Sequence, residues 1–91
     1  MLLFEWDEVK ARENLKKHKV PFDEGKTIFN DPFLLTYPDI DISEREGRYI
    51  NIGLSAKNRV LVLIHTEMES KIRIISCRKA TARERRHYEE G

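Results

Sequence analysis

The sequence predicts an α+β fold in the order β-α-α-β-β-β-β-α, with a mostly antiparallel sheet packed on two N-terminal helices. Three observations carry this. Arg48–Leu54, Arg59–Glu67 and Lys71–Arg78 are strand-like runs joined by links of hairpin length, which makes an antiparallel meander. Ahead of them, a helical stretch over residues 8–18 is broken at Val20-Pro21-Phe22, because proline blocks its continuation. Behind them, Thr81-Ala82-Arg83-Glu84 is a capping box, the start signal of a last helix.

The elements follow in chain order. Leu2–Trp6 is a short, largely apolar strand, expected to be buried on both faces. Asp7 is a good N-cap for the first helix, with Glu8 in its positive first turn. Asp23 is expected to cap a second helix over residues 24–30, with Ile28 and Phe29 facing inward and Asp31-Pro32 at its end. Phe33–Tyr37 is the second strand, stopped by Pro38, and residues 38–47 are an acidic loop. In the meander, a hairpin turning at Glu69 pairs Thr66 with Ile72 and His65 with Arg73. The even-numbered face is then the core. The odd-numbered face has an apolar centre of Leu61, Leu63 and Ile75, rimmed by His65, Arg73, Glu67 and Lys71. A small domain seldom leaves such a patch uncovered, so a protein partner is expected there.

The 91 residues are expected to form one domain, 1–91, with a modest core. At 40% hydrophobic and 36% charged, the chain is too apolar for disorder. No apolar run is long enough to span a membrane, and because the start leads straight into Glu5 and Asp7, no signal peptide is expected. A lone Cys77 forms no internal disulfide, suits a reducing cytoplasm, and excludes a cysteine-based zinc site. There is no Walker loop, no dinucleotide-binding glycine turn, no metal-ligand spacing and no catalytic triad, so neither cofactor nor metal is expected.

Charge is the functional signal. Residues 1–46 hold seven Lys and Arg against eleven Asp and Glu, net −4; residues 47–91 hold ten against five, net +5. A polar molecule with a basic face has somewhere to put a phosphate backbone. His65 beside Arg73 would suit RNA cleavage: a 2′-hydroxyl attack needs a proton acceptor, and the phosphorane needs a cation. The alternative is a solvated pair. His18, in Lys16-Lys17-His18-Lys19, either caps a helix end or touches RNA together with Lys17. Arg78 and Lys79 meet the amides of the last helix, where a phosphate would find cations and a helix N-terminus together; the alternative is an ordinary surface turn. Arg59, Arg83 and Arg86 extend the basic surface, and Tyr88 either stacks on a base or packs on the sheet.

Several stretches, taken together, resemble the BrnT family of type II toxins. They are Phe4-Glu5-Trp6-Asp7, Asn14 to Phe22 (NLKKHKVPF), Asp31-Pro32, Arg48 to Gly53 (RYINIG), and Arg73 to Thr81 (RIISCRKAT) with Glu84-Arg85 and Tyr88-Glu89. The match runs in order over nearly the whole chain. In the family the position of Cys77 is usually alanine, which argues against a catalytic thiol. The resemblance implies a RelE-like fold and a ribonuclease that stops translation. It implies neutralisation by a BrnA-like antitoxin whose ribbon-helix-helix domain binds operator DNA. The wider RelE-like group cuts mRNA without metal, using scattered basic residues. On that footing the catalytic candidates are His65, Arg73, Arg78 and His18, and the RNA-binding candidates Lys17, Arg59, Lys79, Arg83, Arg86 and Tyr88. The rival readings are a non-catalytic RNA-binding or ribosome-associated module, and an inactive co-repressor subunit.

Overall fold

A computed structural model describes residues 2–39 and 47–91 of the chain. The elements are β1 (Leu3–Glu5), α1 (Glu8–His18), α2 (Phe22–Gly25), a 3₁₀ helix (Lys26–Asn30), β2 (Leu35–Pro38), β3 (Arg48–Leu54), β4 (Val60–Met68), β5 (Lys71–Lys79) and α3 (Ala82–Glu90). One five-stranded sheet runs in the order β1-β5-β4-β3-β2. It is mixed: β1 joins β5 in parallel, and the other three pairings are antiparallel. Most of the expected acidic loop, residues 40–46, lies outside the described residues.

Helix α1 starts as its sequence dictates. Val9 and Lys10 donate their amides to Asp7 Oδ1 at 2.8 and 3.2 Å. It ends at Lys19 in the left-handed region, ahead of Pro21. Its tie to the sheet is Asn14, which is buried. The Asn14 amide donates to the carbonyls of Val20 (3.0 Å) and Cys77 (2.8 Å), and its oxygen accepts the Cys77 amide (3.1 Å). One side chain thus pairs with β5 as a neighbouring strand would, on an edge that the short β1 leaves uncovered.

Three boundaries differ from expectation. Helix α2 begins at Phe22, with Pro21 as a cap that makes no side-chain bond; Asp23 sits inside the first turn. A proline already carries a φ suited to helix entry. Strand β2 begins at Leu35. Asp31 accepts the Phe33 amide on its side chain (2.9 Å) and the Leu34 amide on its carbonyl (3.1 Å), so a turn occupies residues 31–34 and Phe33 stays 74% exposed. Strand β1 is not buried on both faces: Leu2 and Leu3 are about half exposed because β1 is a sheet edge, while Phe4 packs on the core.

The larger correction concerns which face of the meander is the core. The turn between β4 and β5 holds just two residues, Glu69 and Ser70, so Met68 pairs with Lys71, Thr66 with Arg73, and His65 with Ile74. That is one residue away from the expected register, and a one-residue slip exchanges the faces. Leu61 and Leu63 are therefore fully buried under the helices, with Val20, Phe22, Ile28, Ile74 and Cys77. The expected exposed patch of Leu61, Leu63 and Ile75 does not exist. A bulge next to the Ile64/His65 step leaves Ile75 as an extra residue in β5 and switches its parity, so Ile72 and Ile74 face the core before it and Cys77 after it. At Gly25 a Cβ would stand 2.9 Å from Cys77 Sγ, so α2 packs on the sheet through a missing side chain.

Candidate functional site

The face opposite the helical core carries the arginines. Pairing across the sheet sets Arg48, Thr66, Arg73 and Glu5 in one row. The next row holds Tyr37, Ile50, Ile64 and Ser76, and the next Leu35, Ile52, Val62 and Arg78. Helix α3 comes back over this last row. Glu84 near its start meets Arg78, and His87 near its end meets Tyr37. Ile52 and Val62 are buried, whereas Ile50 and Ile64 are only partly covered. The result is an apolar floor with cations along one side and a helix along the other.

Arg73 and Arg78, the two arginines expected to act in catalysis, each have a carboxylate partner. Arg73 Nη1 donates to Glu5 at 2.7 Å, and Lys71 stands 3.7 Å from the same carboxylate. Arg78 donates two bonds to Glu84, at 2.7 and 2.9 Å. The Thr81 amide also donates to Glu84 (2.8 Å), completing the capping box. The Arg78 bonds, with help from Thr81, pull the Glu84 carboxyl down to about 2. At the strand–helix junction, where a phosphate site is expected, Arg78 and the Thr81 amide are held by the Glu84 carboxylate. Lys79 is exposed beside it, and Arg83 and Arg86 are exposed on α3.

Other candidates lie elsewhere. Arg59 is clamped to the buried Glu24, with its Nε at 2.9 Å and a second bond from its Nη2. Tyr88 packs rather than stacks in the open: its hydroxyl donates to Asp31 at 2.5 Å, and burial followed by that bond pushes it up to about 12. His18 and Lys17 end α1, on the helical side of the sheet. Cys77 is fully buried, which pushes its thiol up to about 12 and leaves it unreactive.

His65 is not beside Arg73. It is 1% exposed and points into the helical side, between Tyr49, stacked at 5.1 Å between centroids, and Phe29, edge-on at 5.6 Å. Thr36 donates to Asn51 Oδ1 (2.8 Å), and Asn51 Nδ2 donates to His65 Nδ1 (2.7 Å) and the Leu63 carbonyl (3.0 Å). That leaves the proton on Nε2, which donates to Glu67 at 3.2 Å. Burial lowers its pKa and outweighs Glu67. A folded-state pKa below the unfolded one means that the unfolded chain takes up the proton first. Stability should therefore be flat above about pH 6.5 and fall as pH drops below it. Urea unfolding between pH 7.5 and 5.5 should show that decline in the parent and a smaller one in His65→Phe. Equal declines would place the proton uptake elsewhere.

The residues missed in sequence share a trait. Asn14, Glu24, Asp31 and Asn51 are polar side chains that each have a partner distant in sequence, which no local spacing announces. Tyr37 and His87 meet across 50 residues. Among the described residues, no three His, Cys, Asp or Glu side chains gather as a metal site would need. No described helix is long and apolar enough to cross a membrane.

Residues 6–84 match the family model for "Ribonuclease toxin, BrnT, of type II toxin-antitoxin system". Among solved structures, the fold is similar to that of the Brucella abortus ribonuclease toxin BrnT, known from a 1.1 Å crystal structure. The TM-score is 0.70 at 21% identity, covering 89% of this chain and 99% of that one. No curated protein matches the chain.

Proposed function

Because the chain belongs to the BrnT family of ribonuclease toxins of type II toxin–antitoxin systems, we propose that it cuts mRNA internally on the sheet face that carries Arg73 and Arg78, and so stops translation. The observation behind the choice of face is the cross-strand row Arg48–Thr66–Arg73 beside the partly open floor of Ile50 and Ile64. Arginines hold a phosphate with parallel hydrogen bonds and stabilise charge that grows in the transition state. Arg73 and Arg78 are the phosphate-binding pair in this reading. Lys79, Arg83 and Arg86 would track the RNA backbone past the helix. The reaction is a metal-independent attack by the 2′-hydroxyl, in the manner of RelE-like enzymes. A BrnA-like ribbon-helix-helix antitoxin would mask the same face in the cytoplasm and carry the toxin to operator DNA.

Pure protein incubated with long single-stranded RNA in EDTA should cleave it. The products should carry 2′,3′-cyclic or 3′-phosphate ends. Complete inhibition by EDTA, reversed by Mg²⁺, would overturn the mechanism. The Arg73–Glu5 and Arg78–Glu84 pairs favour one rival, an inactive co-repressor whose cations are already neutralised. No cleavage with or without ribosomes would overturn the ribonuclease reading, and failure to bind RNA as well would leave the co-repressor.

A further inference from the structure

The chain has three histidines, and they divide cleanly. His65 is inside the core, His18 ends α1 on the helical side, and His87 stands over the arginine face. His87 is exposed near the end of α3, yet it is not loose. Its Nε2 is hydrogen-bonded to the Tyr37 hydroxyl, and the two rings stack with centroids 5.9 Å apart and planes 26° apart. Tyr37 belongs to β2 and shares its row with Ile50, Ile64 and Ser76 on the floor of the same face.

One turn back along α3 is Glu84, which holds Arg78. Three residues of helix advance about 4.5 Å along the axis. At i and i+3, Glu84 and His87 therefore share one side of α3, where Glu84 meets Arg78 of β5 and His87 meets Tyr37 of β2. Among the described residues, α3 has ties to the fold besides the His87–Tyr37 pair. α3 is already secured by its capping box and by the Tyr88–Asp31 bond, and an oriented, solvent-facing imidazole is what proton transfer near neutral pH needs.

We propose that His87 is the general base of RNA cleavage on this face, and that Tyr37 is the residue that positions it. The proposal rests on the ribonuclease reading given above. With Nε2–H donating to the Tyr37 oxygen, Nδ1 keeps its lone pair. Nδ1 takes the proton of the 2′-hydroxyl as the O2′–P bond forms. The P–O5′ bond breaks and the departing 5′-oxygen takes a proton from water. The hydroxide left behind recovers a proton from the imidazolium. The products are a 2′,3′-cyclic phosphate and a 5′-hydroxyl, and His87 is neutral again. Among the described residues, the ionisable groups that sequence and register place nearest are Arg83, Glu84 and Glu90 on its own helix, Tyr37 on β2, Asp39 two residues beyond Tyr37, and Arg48 two residues along β3 from Tyr37's partner Ile50.

The test is cleavage of one defined single-stranded RNA in EDTA, from pH 5 to pH 9, with melting temperatures taken alongside. His87→Ala should lose on the order of 10²–10⁴-fold in rate, the usual contribution of a positioned base. It should also lose the fall in rate at acidic pH, and added imidazole should restore part of the rate. His87→Gln keeps a side-chain donor but accepts no proton, so it should be as slow as His87→Ala; it decides the matter if the alanine variant melts lower. Tyr37→Phe keeps the stacked ring and should move the midpoint of the acidic limb, which a merely structural tyrosine would not. A folded His87→Gln with the parent's rate and pH profile overturns the proposal alone. A parent that cleaves no RNA overturns the ribonuclease reading, and this inference with it.

Discussion

Arg59→Ala is expected to cost about 3–5 kcal/mol of stability, the scale seen when one partner of a buried ion pair is removed. Glu24 is the reason. Its side chain is 2% exposed, and it accepts two bonds from Arg59 and one from the Ser55 hydroxyl (2.7 Å). The Arg59 bond, then Ser55 after the opposing effect of burial, keeps its carboxyl below the usual range. Without the guanidinium, an ionised carboxylate is left facing Cys77 and the apolar core. The damage spreads to the β3–β4 turn, because Ser55 Oγ also accepts the amides of Lys57 (3.2 Å) and Arg59 (3.3 Å). In a domain of this size each kcal/mol moves the melting temperature by about 4–8 °C, so a fall of more than about 12 °C is expected. The double variant Glu24→Gln/Arg59→Ala should recover part of it, since no charge is then stranded. A loss below about 1 kcal/mol would reclassify the pair as an ordinary surface contact. The outcome also bears on RNA binding, where Arg59 was an expected contact. An arginine that holds a buried carboxylate has few donors left for a phosphate.

What the sequence disclosed, and what it hid, follows from the range of the interactions involved. Asp7, Pro21, the three strands of the meander and the Thr81–Glu84 box act over a few residues, and all stand where local chemistry puts them. The length of the β4–β5 turn was legible to within one residue, and that residue decided everything downstream. It moved Arg73 from His65 to Thr66, buried Leu61 and Leu63, and turned the arginines toward α3. Alternation could not settle it, because both faces of β4 are apolar at their centre: Leu61, Leu63, Val62 and Ile64 offer no contrast. The bulge at Ile75 hid the parity of β5 in the same way. The basic character of the C-terminal half was legible from charge alone. That its arginines already hold Glu5, Glu24 and Glu84 was not, since Glu5 and Glu24 are more than thirty residues from their partners.

Arg73→Ala should separate the catalytic reading of the open face from the structural one. The structural reading is specific: Arg73 and Glu5 join β5 to the parallel edge strand β1, with both side chains about one-third exposed. An ion pair so placed contributes about 0–1 kcal/mol. Ile72 and Ile74, the core residues on either side, are untouched by the truncation. The stability loss should therefore stay within about 1 kcal/mol. Cleavage should fall much further, on the order of 10²-fold, as when one preorganised donor to the transition state is removed. The cation must first leave Glu5, and Glu5→Gln tests that step. It weakens the same ion pair but keeps the guanidinium. If Arg73 serves only to hold β1, Glu5→Gln and Arg73→Ala should cost similar stability and neither should slow cleavage. If Arg73 holds phosphate, Arg73→Ala should be slow and non-toxic on induction, while Glu5→Gln cleaves at least as well as the parent. A folded Arg73→Ala protein that cleaves RNA at the parent's rate would remove this arginine from the site. It would also shift the weight of phosphate binding to Arg78, whose guanidinium holds the Glu84 carboxylate.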